Sequence, residues 1–326
     1  MDLTLSADQQ SLQAALRDIL RKVWTPDRLR EASNSPALDS ANWVALADMG
    51  VFGVMLPEED GGMGLGLPDA VVLFEELGKA LVPGPLVATL LAARLLPDAG
   101  LGKAVVTAVD TRDRVAVAEH FEAATHLVIV DNAGLFLLPT ADCVATQVDT
   151  PLDPLTPLSS VTIPDRWGVR IGSPADAVRW RSDGTVLTGA LQVGLAQGGL
   201  DLAVRYATER VQFGRVIGSF QAVKHLLAEW LVKTDVARAA VLVAALATDD
   251  SGVLDAAPAV SAAKVLADKA ATEGGRCGIQ VHGGMGFTWE VLAHLYLKRA
   301  WLLATSYGSG DEHALRLAAA MSAPEQ

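Results

Sequence analysis

The spacing of apolar residues changes twice along the chain, and these changes divide it into a helical, a β-rich and a second helical segment. Residues 1–103 place apolar side chains three and four positions apart, which is typical of amphipathic helices. The apolar face of the first helix consists of Leu12, Leu16, Ile19, Leu20 and Val23. Ser6 and Gln9 stand before it at the spacing of a capping box, so we expect this helix to begin directly after Ser6.

A glycine-rich and acidic loop interrupts the first helical segment. It reads LPEEDGGMGLGLPD over residues 56–69. Pro68 suits the first turn of a following helix, because the N–H that proline lacks has no partner there. The inner face of that helix is predicted to consist of Val71, Val72, Phe74 and Leu77.

Residues 104–190 have a different texture, made of short runs rich in β-branched and aliphatic residues. Six runs have the composition of strands: RVAVAE, HLVIVD, LFLLP, SSVTIP, WGVRIG and GTVLTG. The sequences DNAG at 131–134 and SDG at 182–184 are turn signals. We therefore predict a small antiparallel β domain, in which the proline-rich stretch 151–157 is a loop.

From residue 191 onward the helical period returns. One face at spacing i, i+3, i+4, i+7 and i+8 is formed by Val223, Leu226, Leu227, Trp230 and Leu231. An alanine-rich helix is predicted over 255–280, and one or two more over 290–320. Four long helices with short breaks indicate an antiparallel bundle. The predicted domains are thus helical (1–103), β (104–190) and a helical bundle (191–326).

Three glycines, Gly283, Gly284 and Gly286, break the helical pattern beside Gln280 and His282. Glycine costs about 1 kcal/mol relative to alanine inside a helix, so one helix should end here and another begin. Bare backbone N–H groups at such a break can bind an anionic ligand. An ordinary corner between two helices, with a C-cap glycine and no ligand, explains these residues equally well.

Composition and charge narrow the possible functions. The chain is 51% hydrophobic and 20% charged, as in globular proteins with a large core, and its formal net charge of −12 argues against non-specific nucleic-acid binding and anionic membranes. Cys143 and Cys277 form neither a disulfide framework nor a zinc-binding spacing, so no metal site is predicted. The N-terminal segment has no secretory pattern, and no apolar run is long enough for a membrane span. We expect a soluble cytoplasmic protein.

Three stretches in this order resemble the acyl-CoA dehydrogenase family. They are LPEEDGGMGLGLPDAVVLFEELGKAL (56–81), RYATERVQFGRVIGSFQAVKHLLAEW (205–230) and QVHGGMGF (280–287). The arrangement Arg-x-Gln-Phe-Gly followed by Phe220-Gln221 is the most specific of them. The resemblance spans nearly the whole chain and implies a mainly α, α+β fold: an N-terminal helical domain, a reduced middle β domain and a C-terminal four-helix bundle.

The resemblance also implies FAD as cofactor. Arg210 matches the family arginine at the FAD pyrophosphate, where a guanidinium suits paired phosphate oxygens. Phe213 and Gln221 match flanking cofactor contacts. The loop that receives the ADP end of FAD from a neighbouring subunit matches Gln280, Val281, His282, Gly283 and Gly284. Two alternatives stay open: Arg210 can pair with Glu209 or Asp201, and His282 can be a packed loop residue.

The family's catalytic base is missing from both of its usual positions. The reaction needs a carboxylate that removes the α-proton of an acyl thioester. In many members this is a glutamate after the glycine-rich loop, where Tyr307 stands here; tyrosine, with a pKa near ~10, is a poor base for this step. Other members carry the glutamate before the arginine motif, where this chain has Gly184. Asp311 and Glu312 are the nearby carboxylates, and Asp311 better matches an FAD contact.

The β segment also lacks the family's Thr-Glu-Pro, Gly-Ser-Asp and Trp-Ile elements, which cradle the flavin ring. Residues for the ADP end are therefore kept, while those for the ring and the base are absent. This combination resembles the short, non-catalytic subunit of actinobacterial heteromeric acyl-CoA dehydrogenases in steroid or fatty-acid β-oxidation. It implies a longer homologue as partner, two copies of each, and an acyl-CoA substrate bound mostly by that partner.

Two other hypotheses stay open beside this one. The chain can be a self-sufficient acyl-CoA dehydrogenase with a relocated base, such as Asp311 or Glu312. It can also be a flavin-free scaffold of the same fold. The identity of the acyl-CoA and of the partner does not follow from the sequence.

Overall fold

The structure is a computed structural model, and it shows two compact units. One unit comprises residues up to 26, Val71–Val82 and the chain from Thr185; the other comprises Asp27–Ala70 and Pro83–Gly184. The structure describes residues 3–34, 37–113, 115–164, 167–250, 252 and 254–322.

Helices dominate both ends of the chain, as the sequence predicts. They are α1 Ala7–Val23, α2 Pro26–Asn34, α3 Ser40–Asp48, α4 Leu67–Lys79, α5 Leu86–Ala93, α6 Pro97–Gly100, α7 Pro174–Glu209, α8 Gln221–Asp249, α9 Ala256–His282, α10 Ala293–Leu303 and α11 Gly310–Ser322. Within the described ranges, none of them combines the length and apolarity needed to cross a membrane.

Among the described residues, nine strands lie between these helices, seven of them before α7. They are β1 Val106–Asp110, β2 Val117–Glu119, β3 His126–Asp131, β4 Gly134–Pro139, β5 Val144–Gln147, β6 Leu158–Thr162, β7 Val169–Gly172, β8 Val211–Gln212 and β9 Arg215–Val216. The α, β, α order predicted from the sequence is therefore confirmed, whereas the domain boundaries at 103 and 190 stay predictions.

Local signals near the N-terminus are confirmed. Ser6 caps α1 by accepting from the Gln9 N–H, and the Gln9 side chain accepts from the Ser6 N–H at 3.0 Å, which completes the capping box. Pro68 lies in the first turn of α4. The four apolar residues predicted for the inner face of α4 are all buried.

The first seven strands form two sheets that enclose an apolar core. A four-stranded sheet has the order β1-β3-β4-β7, and a three-stranded sheet has the order β2-β6-β5. The core side chains are Val109, Ala118, Phe121, Leu127, Ile129, Leu138 and Val161. The expectation of an antiparallel domain is wrong for one pair, because β1 and β3 run parallel. Strands β1 and β5 are not among the six predicted runs.

The predicted strand GTVLTG and the turn SDG before it are also wrong. Residues 182–189 lie inside α7, a helix of 36 residues. Val186 and Leu187 are fully buried there, and a short apolar run that is buried on all sides has no period to separate strand from helix. Arg114, the first residue of the predicted strand RVAVAE, lies outside the described residues.

In the helical unit, α4 and α7 approach each other through glycines. A Cβ at Gly78 would lie 2.1 Å from the Leu191 carbonyl oxygen, and one at Gly194 would lie 2.0 Å from that of Glu75. Arg238 of α8 donates to Glu75 at 2.9 Å. The bundle is therefore built around backbone contacts that only glycine permits, with ion pairs at their edge.

Candidate functional site

Arg210 directly follows the last residue of α7. Its N–H donates to the Tyr206 carbonyl at 2.9 Å, and its own carbonyl accepts from the Ile217 N–H at 2.8 Å. Its exposed guanidinium forms no ion pair with any residue that the structure describes. Asp201, a possible partner from the sequence, instead binds Lys79 at 2.6 Å. The backbone of Arg210 is thus held from both sides, while its charge faces solvent.

Phe213 lies in the tight turn between β8 and β9. It has φ of +53°, which is rare for a residue other than glycine, and its side chain is 91% exposed. Its ring meets Phe220 edge to face at 6.1 Å, and the Arg215 guanidinium lies 4.1 Å from the centre of the Phe220 ring. Gln221, the first residue of α8, is exposed beside Phe220. A strained and exposed aromatic residue suits a contact with a ligand or partner.

The predicted helix break at the glycines is confirmed, because α9 ends at His282 and a 3₁₀-helix follows over Gly283–Phe287. Gly283 needs to be glycine because its φ of +59° is combined with a ψ of −139°, a conformation that residues with a Cβ rarely adopt. A Cβ at Gly286 would lie 2.9 Å from the Ile279 carbonyl oxygen, so packing requires that glycine. Neither backbone conformation nor packing requires a glycine at 284, because its φ is not positive and a Cβ there would meet nothing within 4 Å. Its open backbone suits the close approach of a ligand.

The residues before the break differ in accessibility. Gln280 is exposed, and Val281 is buried in an apolar cluster. His282 is 4% exposed, its Nδ1 donates to the Gly278 carbonyl at 2.7 Å, and its ring stacks on Tyr206. Burial lowers the pKa of His282. The His282 side chain is thus packed, as the alternative expected. Its backbone, next to Gly283, is the part that a ligand in the loop could reach.

One apolar cluster brings these sequence-distant segments together. It joins α7, α8 and α9 through Leu200, Ala203, Ala207, Trp230 and Val281. The Trp230 indole fits because α9 has no side chain at Gly274, where a Cβ would lie 2.0 Å from Nε1. The cluster and the stack of Tyr206 on His282 place the end of α7 beside the glycine loop.

Tyr307, which stands at one expected position of the base, lies in the turn between α10 and α11. Its φ is +57°, and its carbonyl accepts from His313 Nε2 at 3.0 Å. Glu312 accepts from the Ser309 N–H at 2.8 Å, and this bond lowers the pKa of the carboxyl. Glu312 therefore acts as a helix cap, and a carboxylate with a lowered pKa is a weaker base. Asp311 is exposed in the first turn of α11.

Sequence reasoning missed a buried charge network beneath this turn. Lys264 is fully buried, and its Nζ donates to both carboxylate oxygens of Asp268 at 2.6 and 2.9 Å. It also donates to the Leu303 and Ala304 carbonyls at 3.1 and 3.3 Å, while Gln192 donates to Asp268. Burial lowers the pKa of Lys264, and the attraction of Asp268 opposes that shift. The network ties the end of α10 to α9.

Tyr206 was also missed, although a signal was present. It lies four residues before Arg210, so one helical turn separates them and they share a face. Its stacking partner His282 lies 76 positions further along the chain, by the difference of the two residue numbers, and no local pattern connects them.

Two family models match the chain. The acyl-CoA dehydrogenase N-terminal domain matches residues 6–100, and the acyl-CoA dehydrogenase C-terminal domain matches residues 183–322. The second range contains all eight residues that the sequence predicts at the cofactor.

Curated relatives are similar over most of the chain. Acyl-CoA dehydrogenase IpdE2 of Mycolicibacterium smegmatis is 33% identical over 97% of this chain and 99% of its own length. Acyl-CoA dehydrogenase FadE34 of Mycobacterium tuberculosis is 36% identical over 79% of this chain. That alignment covers 39% of FadE34, so the shared region makes up less than half of the larger protein.

Solved structures share the whole fold. A chain of the Tcur3481-Tcur3483 steroid ACAD variant superposes with a TM-score of 0.85 at 27% identity, covering 98% of this chain and 99% of that one. A chain of the ChsE4-ChsE5 complex from Mycobacterium tuberculosis gives a TM-score of 0.86 at 22% identity, with both chains fully covered.

Proposed function

The chain belongs to the acyl-CoA dehydrogenase family, a family of FAD-dependent oxidoreductases, and on that premise we propose that it is the non-catalytic subunit of a heteromeric enzyme. In this assignment it completes the site for the ADP end of an FAD whose ring lies in a longer homologous subunit. One observation carries the proposal: the end of α7 and the glycine loop lie side by side, with Arg210 and Gln280 exposed, whereas Tyr307 stands at an expected position of the base.

The residues at the α7 end and the glycine loop fit a dinucleotide. Arg210 presents a guanidinium without an ion-pair partner among the described residues, which suits a pyrophosphate. Gly284 leaves the room that a Cβ would fill, so a phosphate or ribose can reach the backbone. Phe213 and Gln221 supply an apolar and a polar contact beside Arg210. The bound FAD would supply the hydride acceptor for α,β-desaturation of an acyl-CoA thioester.

The surroundings of Tyr307 support a role without proton abstraction. Glu312 is used as a helix cap with a lowered pKa. Asp311 is exposed in the first turn of α11, where acidic residues are common at helix starts. The environment of Glu312 does not raise the basicity that removal of an α-proton requires. The partner subunit would therefore provide the base and most of the acyl pocket.

We propose that this two-part enzyme acts in steroid or fatty-acid catabolism, and the comparisons support its two parts and a steroid substrate. Two similar structures are named as pairs, and one of them is named a steroid ACAD. In FadE34 the region like this chain occupies 39% of one longer polypeptide, which is compatible with a second part that works beside it.

Co-expression with a longer acyl-CoA dehydrogenase homologue that carries a glutamate base tests the proposal. We expect the isolated chain to purify without flavin absorbance and without dye reduction, and the complex to bind FAD. An isolated chain that retains FAD and reduces the dye, with activity lost in Asp311→Ala, would establish the self-sufficient enzyme instead. A complex that never binds FAD would favour the flavin-free scaffold.

A further inference from the structure

The stacked pair of Tyr206 and His282 joins the two halves of the proposed ADP site. We propose that this pair is a positioning device, which sets the distance between the Arg210 guanidinium and the open backbone at Gly283 and Gly284. The inference rests on the proposed function and adds to it the side chains of Tyr206 and His282, which act by holding the loop and not by contacting the cofactor.

Tyr206 holds both halves of the site through different groups. Its carbonyl accepts from the Arg210 N–H at 2.9 Å, which fixes where the chain leaves α7. Its ring stacks on His282 with centroids 4.4 Å apart and planes 27° from parallel. Its hydroxyl lies 3.8 Å from the sulfur of Met285, inside the glycine loop. A shift of the Tyr206 ring would therefore change the loop position relative to Arg210.

His282 is held in one orientation by its hydrogen bond. A carbonyl oxygen only accepts, so the contact with Gly278 places the proton on Nδ1. Nε2 is buried and has no hydrogen-bond partner within the described part of the chain. The imidazole is therefore a neutral ring, anchored to the last turn of α9 and flat against Tyr206.

The loop needs this support because its own first residues make few contacts. Gly283 and Gly284 have no side chains, and the Cβ positions above them are open. Packing resumes only at Gly286, against Ile279. The direction in which the open backbone points is thus set by His282 on one side and by Met285 and Gly286 on the other.

A double-mutant cycle on the FAD-binding complex tests the device. Tyr206→Leu removes the ring, and we expect it to weaken FAD binding roughly 2- to 12-fold, the range that follows from the usual strength of an aromatic pair. Tyr206→Phe keeps the stack and should bind FAD nearly as well as the native complex. His282→Phe keeps a ring at the other position and should rescue affinity better than His282→Ala. His225→Ala, at an exposed histidine of α8, is the matched control.

Combining Tyr206→Leu with Arg210→Ala distinguishes a positioning role of the stack from a general effect on stability. If the stack sets the spacing, the loss caused by Arg210→Ala should shrink at least threefold in the Tyr206→Leu background. Hydrogen exchange at residues 283–287 of the isolated chain should rise in Tyr206→Leu and not in Tyr206→Phe, a readout that needs no FAD. Additive effects together with unchanged exchange would overturn the inference. Failure of the native complex to bind FAD would instead overturn the proposed function, while the exchange result would still report on the stack.

Discussion

Arg210 presents a charge whose partner is not within the described chain, and this makes its role measurable. A charge-assisted contact to a buried phosphate contributes about 1.5–3 kcal/mol. We therefore expect Arg210→Ala to weaken FAD binding by the complex ~10- to 150-fold, since each 1.4 kcal/mol is tenfold. Arg210→Lys should rescue only partly, because an ammonium cannot form the two-pronged contact. FAD titration followed by flavin absorbance measures both.

Arg276→Ala is the matched control for Arg210, because Arg276 is an exposed arginine within α9. It should leave FAD affinity unchanged, and circular dichroism should show that all three variants are folded. If the Arg210→Ala complex binds FAD as tightly as the native complex, the end of α7 does not contact the cofactor.

A substitution at Gly284 is expected to change FAD binding without reducing the stability of the fold. A Cβ there meets no atom within 4 Å, and its φ is not positive, so Gly284→Ala should fold with a stability equal to the native chain or up to about 1 kcal/mol higher. The same methyl group would occupy the proposed path of the ligand and should weaken FAD binding at least tenfold. Urea unfolding and FAD titration of the one variant measure both effects. Native-like affinity would count against a backbone contact at this glycine.

His313 makes the stability of the helical unit sensitive to mildly acidic pH. It is buried between Ser261 and the Tyr307 carbonyl, and burial lowers its pKa below the ordinary 6.5. Below pH 6.5 the unfolded chain binds a proton that the folded chain does not, so stability falls as pH drops towards the folded pKa. The slope for one such group is at most about 1.4 kcal/mol per pH unit.

Urea unfolding between pH 7.5 and 5.5 should therefore show a decline that is shallower in His313→Gln. His282, whose pKa is also lowered by burial, contributes in the same window and leaves part of the decline in place. A native chain with constant stability over this range would contradict the expectation.

The contact between α8 and α9 depends on a glycine that the helix itself does not favour. A Cβ at Gly274 would lie 2.0 Å from Trp230 Nε1, so Gly274→Ala forces the indole or the helix to move. Overpacking of this kind costs about 1–3 kcal/mol, against a gain of roughly 1 kcal/mol in helix propensity. We expect a net loss of stability in urea unfolding, in contrast to Gly284→Ala. A more stable Gly274→Ala variant would mean that Trp230 repacks freely.

The turn between α10 and α11 is held by side chains from elsewhere in the bundle. Lys264 binds the last carbonyls of α10, and His313 binds the Tyr307 carbonyl. Two adjacent residues with positive φ, Tyr307 and Gly308, follow these anchors. These contacts give the turn a defined shape, with Tyr307 where many family members have a glutamate.

For the chain as a whole, the proposed half of a cofactor site requires an assembly with a partner. We expect light scattering of the co-expressed complex to give the mass of two short and two long subunits. Exposed apolar side chains around the site, such as Phe213, Phe287 and Trp289, are suited to burial in such an assembly. A monodisperse, folded monomer at low concentration that binds no longer homologue would contradict this expectation.

Several features were predictable from the sequence because they depend on residues within one or two turns of one another. The capping box at Ser6 and Gln9, the start of α4 at Pro68 and the end of α9 before Gly283 are of this kind. The α, β, α order followed from the spacing of apolar residues, and the family and FAD followed from three motifs. The roles of individual residues at the cofactor stay predictions.

Other features depend on contacts between distant parts of the chain, and no local pattern reports those. The helix at 184–189 is stabilised by burial inside α7 against its own strand-like composition, and β1 pairs in parallel with β3 through a register that only the folded sheet sets. The hydrogen bond from Lys264 to the Leu303 carbonyl and the stack of Tyr206 on His282 also join residues that are far apart in the sequence. The amino-acid order therefore specified which chemical groups are available to the proposed dinucleotide site, and three-dimensional packing determined which of them lie side by side.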